Sequence, residues 1–164
     1  MAKKRAVAHG STPATVALIR LGIDFEPRRY QHDPRVTDYG KEAAEVLGVP
    51  AERVFKTLLA VADGTLVVGV VPVAGLLDLQ ALAAAVGARK AVMADPALAE
   101  RKTGYVVGGI SPIGQRTKLR TVLDASAIGF NTVLVSGGRR GFDIELAPKA
   151  LLLATSGSTA EIAR

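Results

Sequence analysis

The chain has 164 residues, 49% of them hydrophobic and 22% charged, which supplies apolar material for one compact core and too little length for two ordinary domains. Dispersed apolar runs and a mean hydropathy of +0.27 exclude intrinsic disorder, and no stretch approaches the roughly 18 apolar residues of a membrane span. The absence of cysteine excludes disulfides, thiolate metal sites and cysteine nucleophiles. The formal charge of +6 points as readily to a polyanionic partner as to a well-solvated surface.

Lys3, Lys4 and Arg5 are followed by His9, Gly10, Ser11 and Thr12 rather than by an apolar segment, so no export signal is read and a cytoplasmic protein is expected. Residues 1–10 read as a flexible basic tail and residues 11–164 as the folded domain. Thr12-Pro13 opens a helix by pairing a hydroxyl cap with a proline at the first helical position, and Gly22 closes it. Asp24–Tyr30, interrupted by Pro27, suits an edge strand. A helix over Asp38–Leu47 stops at Gly48. Val54–Val61 and Thr65–Val71 then flank Asp63-Gly64, a hairpin signal because this pair tolerates positive φ.

Asp78–Val86 reads as a helix ended by Gly87, Lys90–Met93 as a short strand, and Asp95-Pro96 as the cap of a helix reaching Lys102. Four glycines and a proline make 104–114 a structured loop. Strands over Leu119–Leu123, Thr132–Val135 and Phe142–Leu146 follow, and Pro148–Ala154 together with the last residues reads as helical. Irregular interspersion of helices and strands favours an α+β domain on a mixed sheet over a strict βαβ alternation.

Dinucleotide and P-loop fingerprints are both missing. His9 and His32 are the only histidines. A serine triad would have to combine His32 with Ser111 or Ser136, neither of them in a nucleophile elbow, and no acidic cluster has metal-ligand spacing. No cofactor and no metal are therefore expected. Gly108-Gly109 and Gly137-Gly138 offer unshielded main-chain amides to a ligand oxygen, or serve as turns. Lys56 interrupts an apolar strand start and faces either solvent or a cleft, and Asp143 alternates with apolar neighbours on the strand face of Gly141 and Glu145.

Seven segments occur in an order that resembles the YbaK-type family of Cys-tRNA(Pro) deacylases. They are Thr12-Pro13-Ala14, Tyr30-Gln31-His32-Asp33-Pro34, Val54-Phe55-Lys56-Thr57-Leu58, Pro72-Val73-Ala74-Gly75, Met93-Ala94-Asp95-Pro96, the run Thr103–Pro112 and the run Ser136–Leu146. The resemblance implies a compact α+β editing domain with a mixed, barrel-like sheet surrounded by helices, related to the editing domain of bacterial prolyl-tRNA synthetases. It implies hydrolysis of the ester joining a wrong amino acid to tRNA, with aminoacyl-tRNA as partner and prolyl-tRNA synthetase as an associate. By position, Lys56 matches the lysine that places the acylated 3′ end, and Gly108 and Gly109 match the glycine pair bordering the scissile carbonyl. Tyr30, Thr57, Ser136 and Asp143 match pocket-lining positions, while Phe55 stands where tyrosine is common. In such enzymes the cysteinyl thiolate attacks its own ester to give a thiolactone, so the protein needs no nucleophile of its own. A deacylase for alanine or another small residue, and a non-catalytic tRNA- or ligand-binding module, are the alternative readings.

Overall fold

The computed structural model describes residues 11–164, so the expected tail at 1–10, with His9, lies outside the described residues. The first helix, α1 (Pro13–Arg20), begins in a reciprocal cap: Thr15 N donates to Thr12 Oγ1 at 3.3 Å and Thr12 N donates to Thr15 Oγ1 at 2.9 Å. After β1 (Glu26–Arg29) comes α2 (Tyr39–Leu47), capped by Asp38 and closed by Gly48 at φ +67°. The strands β2 (Phe55–Ala62) and β3 (Thr65–Pro72) form the hairpin expected at Asp63-Gly64, both of whose φ values are positive, at 48° and 83°. Helix α3 (Leu79–Ala85), strand β4 (Ala91–Met93) and helix α4 (Pro96–Thr103) follow, with Asp78 and Asp95 as the side-chain caps of the two helices. The glycine-rich loop leads to β5 (Arg120–Asp124), a 3₁₀ turn at Ala125–Gly129, β6 (Val133–Arg139), β7 (Phe142–Leu146), α5 (Pro148–Thr155) and β8 (Ser158–Ala160).

The strands form a five-stranded mixed sheet, β4-β2-β3-β5-β8, and a three-stranded antiparallel sheet, β1-β7-β6. The largest apolar cluster includes Leu18, Phe55, Leu59, Val135, Ile144 and Leu151, and so joins both sheets to α1 and α5. Each such fully buried side chain contributes about 1.5–3 kcal/mol relative to exposure. A second cluster, with Leu82 and Ile162, packs α3 against the large sheet, and a third beneath α2 includes Ala43, Val54 and Leu134.

The α+β class and single core hold, but the sheet does not close into the barrel-like form. Among the described residues the backbones of the two sheets are bridged at Val54 and Leu134, where Leu134 N donates to the Arg53 carbonyl at 3.0 Å. Further along β2 the same edge is taken by β4, from Ala60 onward, so no continuous ladder links the two sheets.

The C-terminal segment also departs from the helical expectation. Ser156 adopts φ +53° and ends α5, after which β8 pairs in parallel with β5. The cause is tertiary: Asp124 Oδ1 accepts from both Ile162 N and Ala163 N at 2.9 Å, and Asp124 Oδ2 caps the 3₁₀ turn through Ser126 N at 3.2 Å. Burial pushes the Asp124 carboxyl up, but the bonds from Ser126, Ile162 and Ala163 outweigh it and hold the carboxyl below the usual range. The stabilisation is therefore present above the unfolded-state value of about 3.9 and is lost as pH falls through the lower folded-state value. Asp124→Ala, which leaves those amides without their acceptor, is expected to cost about 3 kcal/mol in urea unfolding at pH 7, with less difference from the parent under strongly acidic conditions. Equal stability at pH 7 would show that β8 is held by its pairing with β5 and by packing, without the carboxylate.

Candidate functional site

Strand β2 is hydrogen-bonded to β3 along its whole length, but its outer edge is covered only near its two ends. Leu134 bridges Val54, and β4 pairs from Ala60, with Ala94 N donating to the Leu59 carbonyl at 3.0 Å. The intervening edge of β2, Phe55 to Leu58, opens onto a cavity of about 480 Å³. Every residue from Val54 to Leu59 lines it, together with Tyr30 after β1, Tyr39 on α2, Met93 and Ala94 at the end of β4, Val107 and Gly108 of the glycine-rich loop, and Ser136 and Asp143 of the small sheet.

Six of the seven residues singled out from sequence therefore meet at one cavity: Tyr30, Lys56, Thr57, Gly108, Ser136 and Asp143. Lys56 is half-buried and makes no ion pair among the described residues, which answers whether it faces solvent or a cleft. Thr57 Oγ1 is buried and lacks a hydrogen-bond partner, leaving a polar atom unsatisfied on the cavity wall. Ser136 and Asp143 are paired across β6 and β7, and Arg28 of β1 lies opposite Asp143 on the other side.

Burial raises the Asp143 carboxyl to about 7, against the opposing pull of the Arg28 charge. Burial, then the Asp143 charge, push the Tyr30 phenol up to about 12, with a backbone hydrogen bond at Gly141 opposing them. Arg28 is itself fixed by Glu145, whose second oxygen accepts from Arg53 at 2.8 Å and from Thr132 Oγ1 at 2.6 Å. Burial would raise Glu145, but the bonds from Thr132 and Arg28 and the charges of Arg28 and Arg53 bring it below its ordinary value. The small sheet thus carries a carboxylate held ionised, Glu145, two residues from one pushed toward its neutral form, Asp143.

Gly109 is placed differently from Gly108. It is not on the cavity wall; its amide donates to the Val106 carbonyl at 2.8 Å, and a Cβ there would come within 2.7 Å of the Arg139 backbone. Gly108 lies on the wall at φ +89°, where a Cβ would come within 2.8 Å of the Tyr39 ring, so this position demands glycine on both steric and conformational grounds. Its amide has no intramolecular acceptor among the described residues.

His32 is engaged elsewhere. Its Nδ1 lies 2.6 Å from Glu42 Oε1, and its ring meets Tyr39 at 5.6 Å between centroids. Ser111 is fully buried and outside the cavity, and Ser136 Oγ accepts from Gly138 N at 3.2 Å while His32, off the cavity wall, is paired with Glu42, so neither serine hydrogen-bonds to His32 among the described residues. No group of three or more His, Asp or Glu residues among the described residues is arranged to hold a metal, and no helix among them is long and apolar enough to cross a membrane. Sequence reasoning missed Tyr39, Arg28, Glu145 and Arg53 as members of the site or its support. The Asp143-Ile144-Glu145 alternation signalled a shared face, but nothing local distinguished a clamped glutamate from a solvated one.

Residues 33–153 match the model of the aminoacyl-tRNA editing domain family. The chain is 44% identical over 123 residues to EbsC of Enterococcus faecalis, provisionally named a Cys-tRNA(Pro)/Cys-tRNA(Cys) deacylase, covering 74% of this chain and 75% of that one. It is 34% identical over 100 residues to the proline–tRNA ligase of Geobacter metallireducens, covering 61% of this chain and only 17% of the ligase. Among solved structures, one described provisionally as a trans-editing enzyme for prolyl-tRNA synthetase superposes with a TM-score of 0.82 at 26% identity, covering 93% of this chain and 95% of that one.

The Asp143 carboxyl is expected to titrate by carbon-detected NMR near pH 7, and Arg28→Met to move its midpoint higher by removing the charge that favours ionisation. Because the folded-state value lies above the unfolded value of about 3.9, folding takes up a proton, and stability contributed by this group falls as pH rises from about 4 to 7. An Asp143 midpoint unchanged in Arg28→Met would remove Arg28 from its environment.

Proposed function

This chain belongs to the aminoacyl-tRNA editing domain family, and on that basis we propose that it is a trans-editing deacylase that clears cysteine from mischarged tRNA(Pro). The observation that carries the reading is the convergence of Lys56, Tyr30, Thr57, Gly108, Ser136 and Asp143 on a single cavity whose lining includes neither histidine nor any cysteine. Such a site offers charge, hydrogen bonds and an exposed main chain, but no conventional nucleophile with its base. Chemistry supplied by the substrate suits it.

In the proposed reaction the cysteinyl thiol loses its proton, and the thiolate sulfur attacks the carbonyl carbon of the same aminoacyl group. The new C–S bond forms as the C–O bond to the ribose breaks; the ribose oxygen takes up a proton, and a four-membered thiolactone leaves. Water later opens the thiolactone to free cysteine. A thiol of pKa about 8.5 is a few per cent ionised at neutral pH, and holding it against its carbonyl contributes on the order of several kcal/mol through effective molarity. Lys56 would receive the terminal phosphate or ribose oxygens. The Gly108 amide would meet the developing oxyanion, a contact commonly worth about 3 kcal/mol, whereas the Gly109 amide is already engaged with Val106. Asp143, only partly ionised near pH 7, would sit near the thiolate and oxyanion without adding a full negative charge there.

Association with prolyl-tRNA synthetase belongs to the same proposal, supported by the likeness to a segment of a proline–tRNA ligase and to a trans-editing structure. The test is deacylation of Cys-tRNA(Pro), Ala-tRNA(Pro) and Pro-tRNA(Pro), with sulfur products identified by mass spectrometry. The cysteine ester is expected to disappear fastest and to yield a thiolactone, and Lys56→Ala to lose on the order of 100-fold in rate while remaining folded. Preferential loss of the alanine ester would replace cysteine as the substrate, and tRNA binding without loss of any ester would make the protein a binding module.

A further inference from the structure

The small sheet carries its charges at opposite ends. Glu26 and Glu145 lie opposite each other at one end, whereas Arg29, Phe142 and Arg139 stand in one register row at the other, next to the hairpin turn that holds Arg140. The guanidinium carbons of Arg29 and Arg139 lie 4.8 and 5.1 Å from the centroid of the Phe142 ring. That ring is buried and lies over Gly137, where a Cβ would come within 2.5 Å of it, so it gives the two arginines a fixed platform. Arg140 stacks on Tyr39 at 4.8 Å and donates from Nε and Nη2 to the Val107 carbonyl at 3.1 and 2.7 Å.

All three arginines are exposed, and neither Arg139 nor Arg140 has a carboxylate partner among the described residues. Guanidinium groups held by ring faces and a carbonyl lose less freedom on meeting an anion than free side chains do, and their forked N–H groups suit phosphate oxygens. The basic end also adjoins the cavity. Arg140 grips Val107 and abuts Gly108, both on the cavity wall, and Gly109 packs on the Arg139-Arg140 backbone.

We propose that Arg139 and Arg140, in the β6–β7 hairpin beside Arg29, form the surface that binds the phosphate backbone of the RNA strand whose 3′ end enters the cavity. The proposal rests on the deacylase reading for its choice of RNA. An ester lodged against Lys56 and Gly108 would leave the last internucleotide phosphates outside the cavity, on the side where Arg140 abuts Val107 and Gly108 and the Arg139 backbone packs on Gly109. Two of the three arginines are held by an aromatic ring whose place in the register fixes both neighbours, so the basic surface is built into the sheet rather than scattered over it.

The test uses a non-acylated RNA hairpin ending in single-stranded 3′-CCA, with affinity measured across salt concentrations for the full chain. Each phosphate contact to a single strand contributes about 0.7 to the slope of log affinity against log salt, so an Arg139→Gln/Arg140→Gln double variant is expected to lower that slope by about 1.4. The matching double lysine variant, which keeps the charge, is expected to retain most of the slope, and circular dichroism checks that each variant folds. Arg120, which bonds the Val86 carbonyl at the end of α3, supplies a charge on the other sheet, and Arg120→Gln is expected to leave the slope unchanged. An unchanged slope in the glutamine double variant, an equal fall for Arg120→Gln, or no binding of the hairpin by the parent chain would each overturn the proposal. Because the RNA carries no ester, loss of the deacylase reading in the turnover assay leaves this result separately readable.

Discussion

Strand β2 is hydrogen-bonded to β3 from end to end, yet among the described residues its other edge has partners only at Val54 and from Leu59 onward, and the opening between them is the cavity. A paired strand there would fill the space with backbone. Left open, the edge leaves main-chain groups of Phe55 and Thr57 unpaired by a strand, beside the side chains of Lys56 and Thr57 on the cavity wall. The surrounding elements follow from this opening: β4 and α4 bound one end, the small sheet bounds the other, and the loop carrying Val107 and Gly108 closes a side. An interrupted barrel is thus what makes a site, since a closed one of this size would be filled by its own side chains.

The electrostatics of the site are set by the small sheet. Glu145 accepts from Arg28, Arg53 and Thr132 and stays ionised, while Asp143, one strand repeat away and directly opposite Arg28, is pushed to about 7 by burial. Two carboxyl groups on one strand face therefore titrate differently, because Asp143 is the more deeply buried while Glu145 accepts hydrogen bonds from Thr132 and Arg28. Breaking the clamp would leave partly buried charges without partners.

Local chemistry was legible wherever a short sequence has one good conformation. Thr12-Pro13, Asp38, Asp78 and Asp95 cap helices as their side chains require, and Asp63-Gly64 turns the hairpin with both residues at positive φ. The C-terminal segment was not legible, because Ser156 leaves the helix and Asp124, more than thirty residues upstream, captures the amides of Ile162 and Ala163. The 3₁₀ turn at Ala125–Gly129 depends on the same carboxylate.

For the site, the segments that resemble the editing family led to Tyr30, Lys56, Thr57, Gly108, Ser136 and Asp143, while the residues read without that resemblance left Lys56 between solvent and cleft and each glycine pair between ligand and turn. The sequence by itself determined the caps, the hairpin, the single compact domain and the absence of any thiol of the protein's own, because these depend on residue type and near-neighbour spacing. Only the tertiary structure decided that the sheets stay separate, that Gly108 faces the cavity while the Gly109 amide is spent on a turn, and that Arg28 and Glu145 form a clamp behind Asp143. Those outcomes depend on which strands meet and at which register, and the partners lie up to 117 positions apart in the chain, beyond the reach of any local pattern.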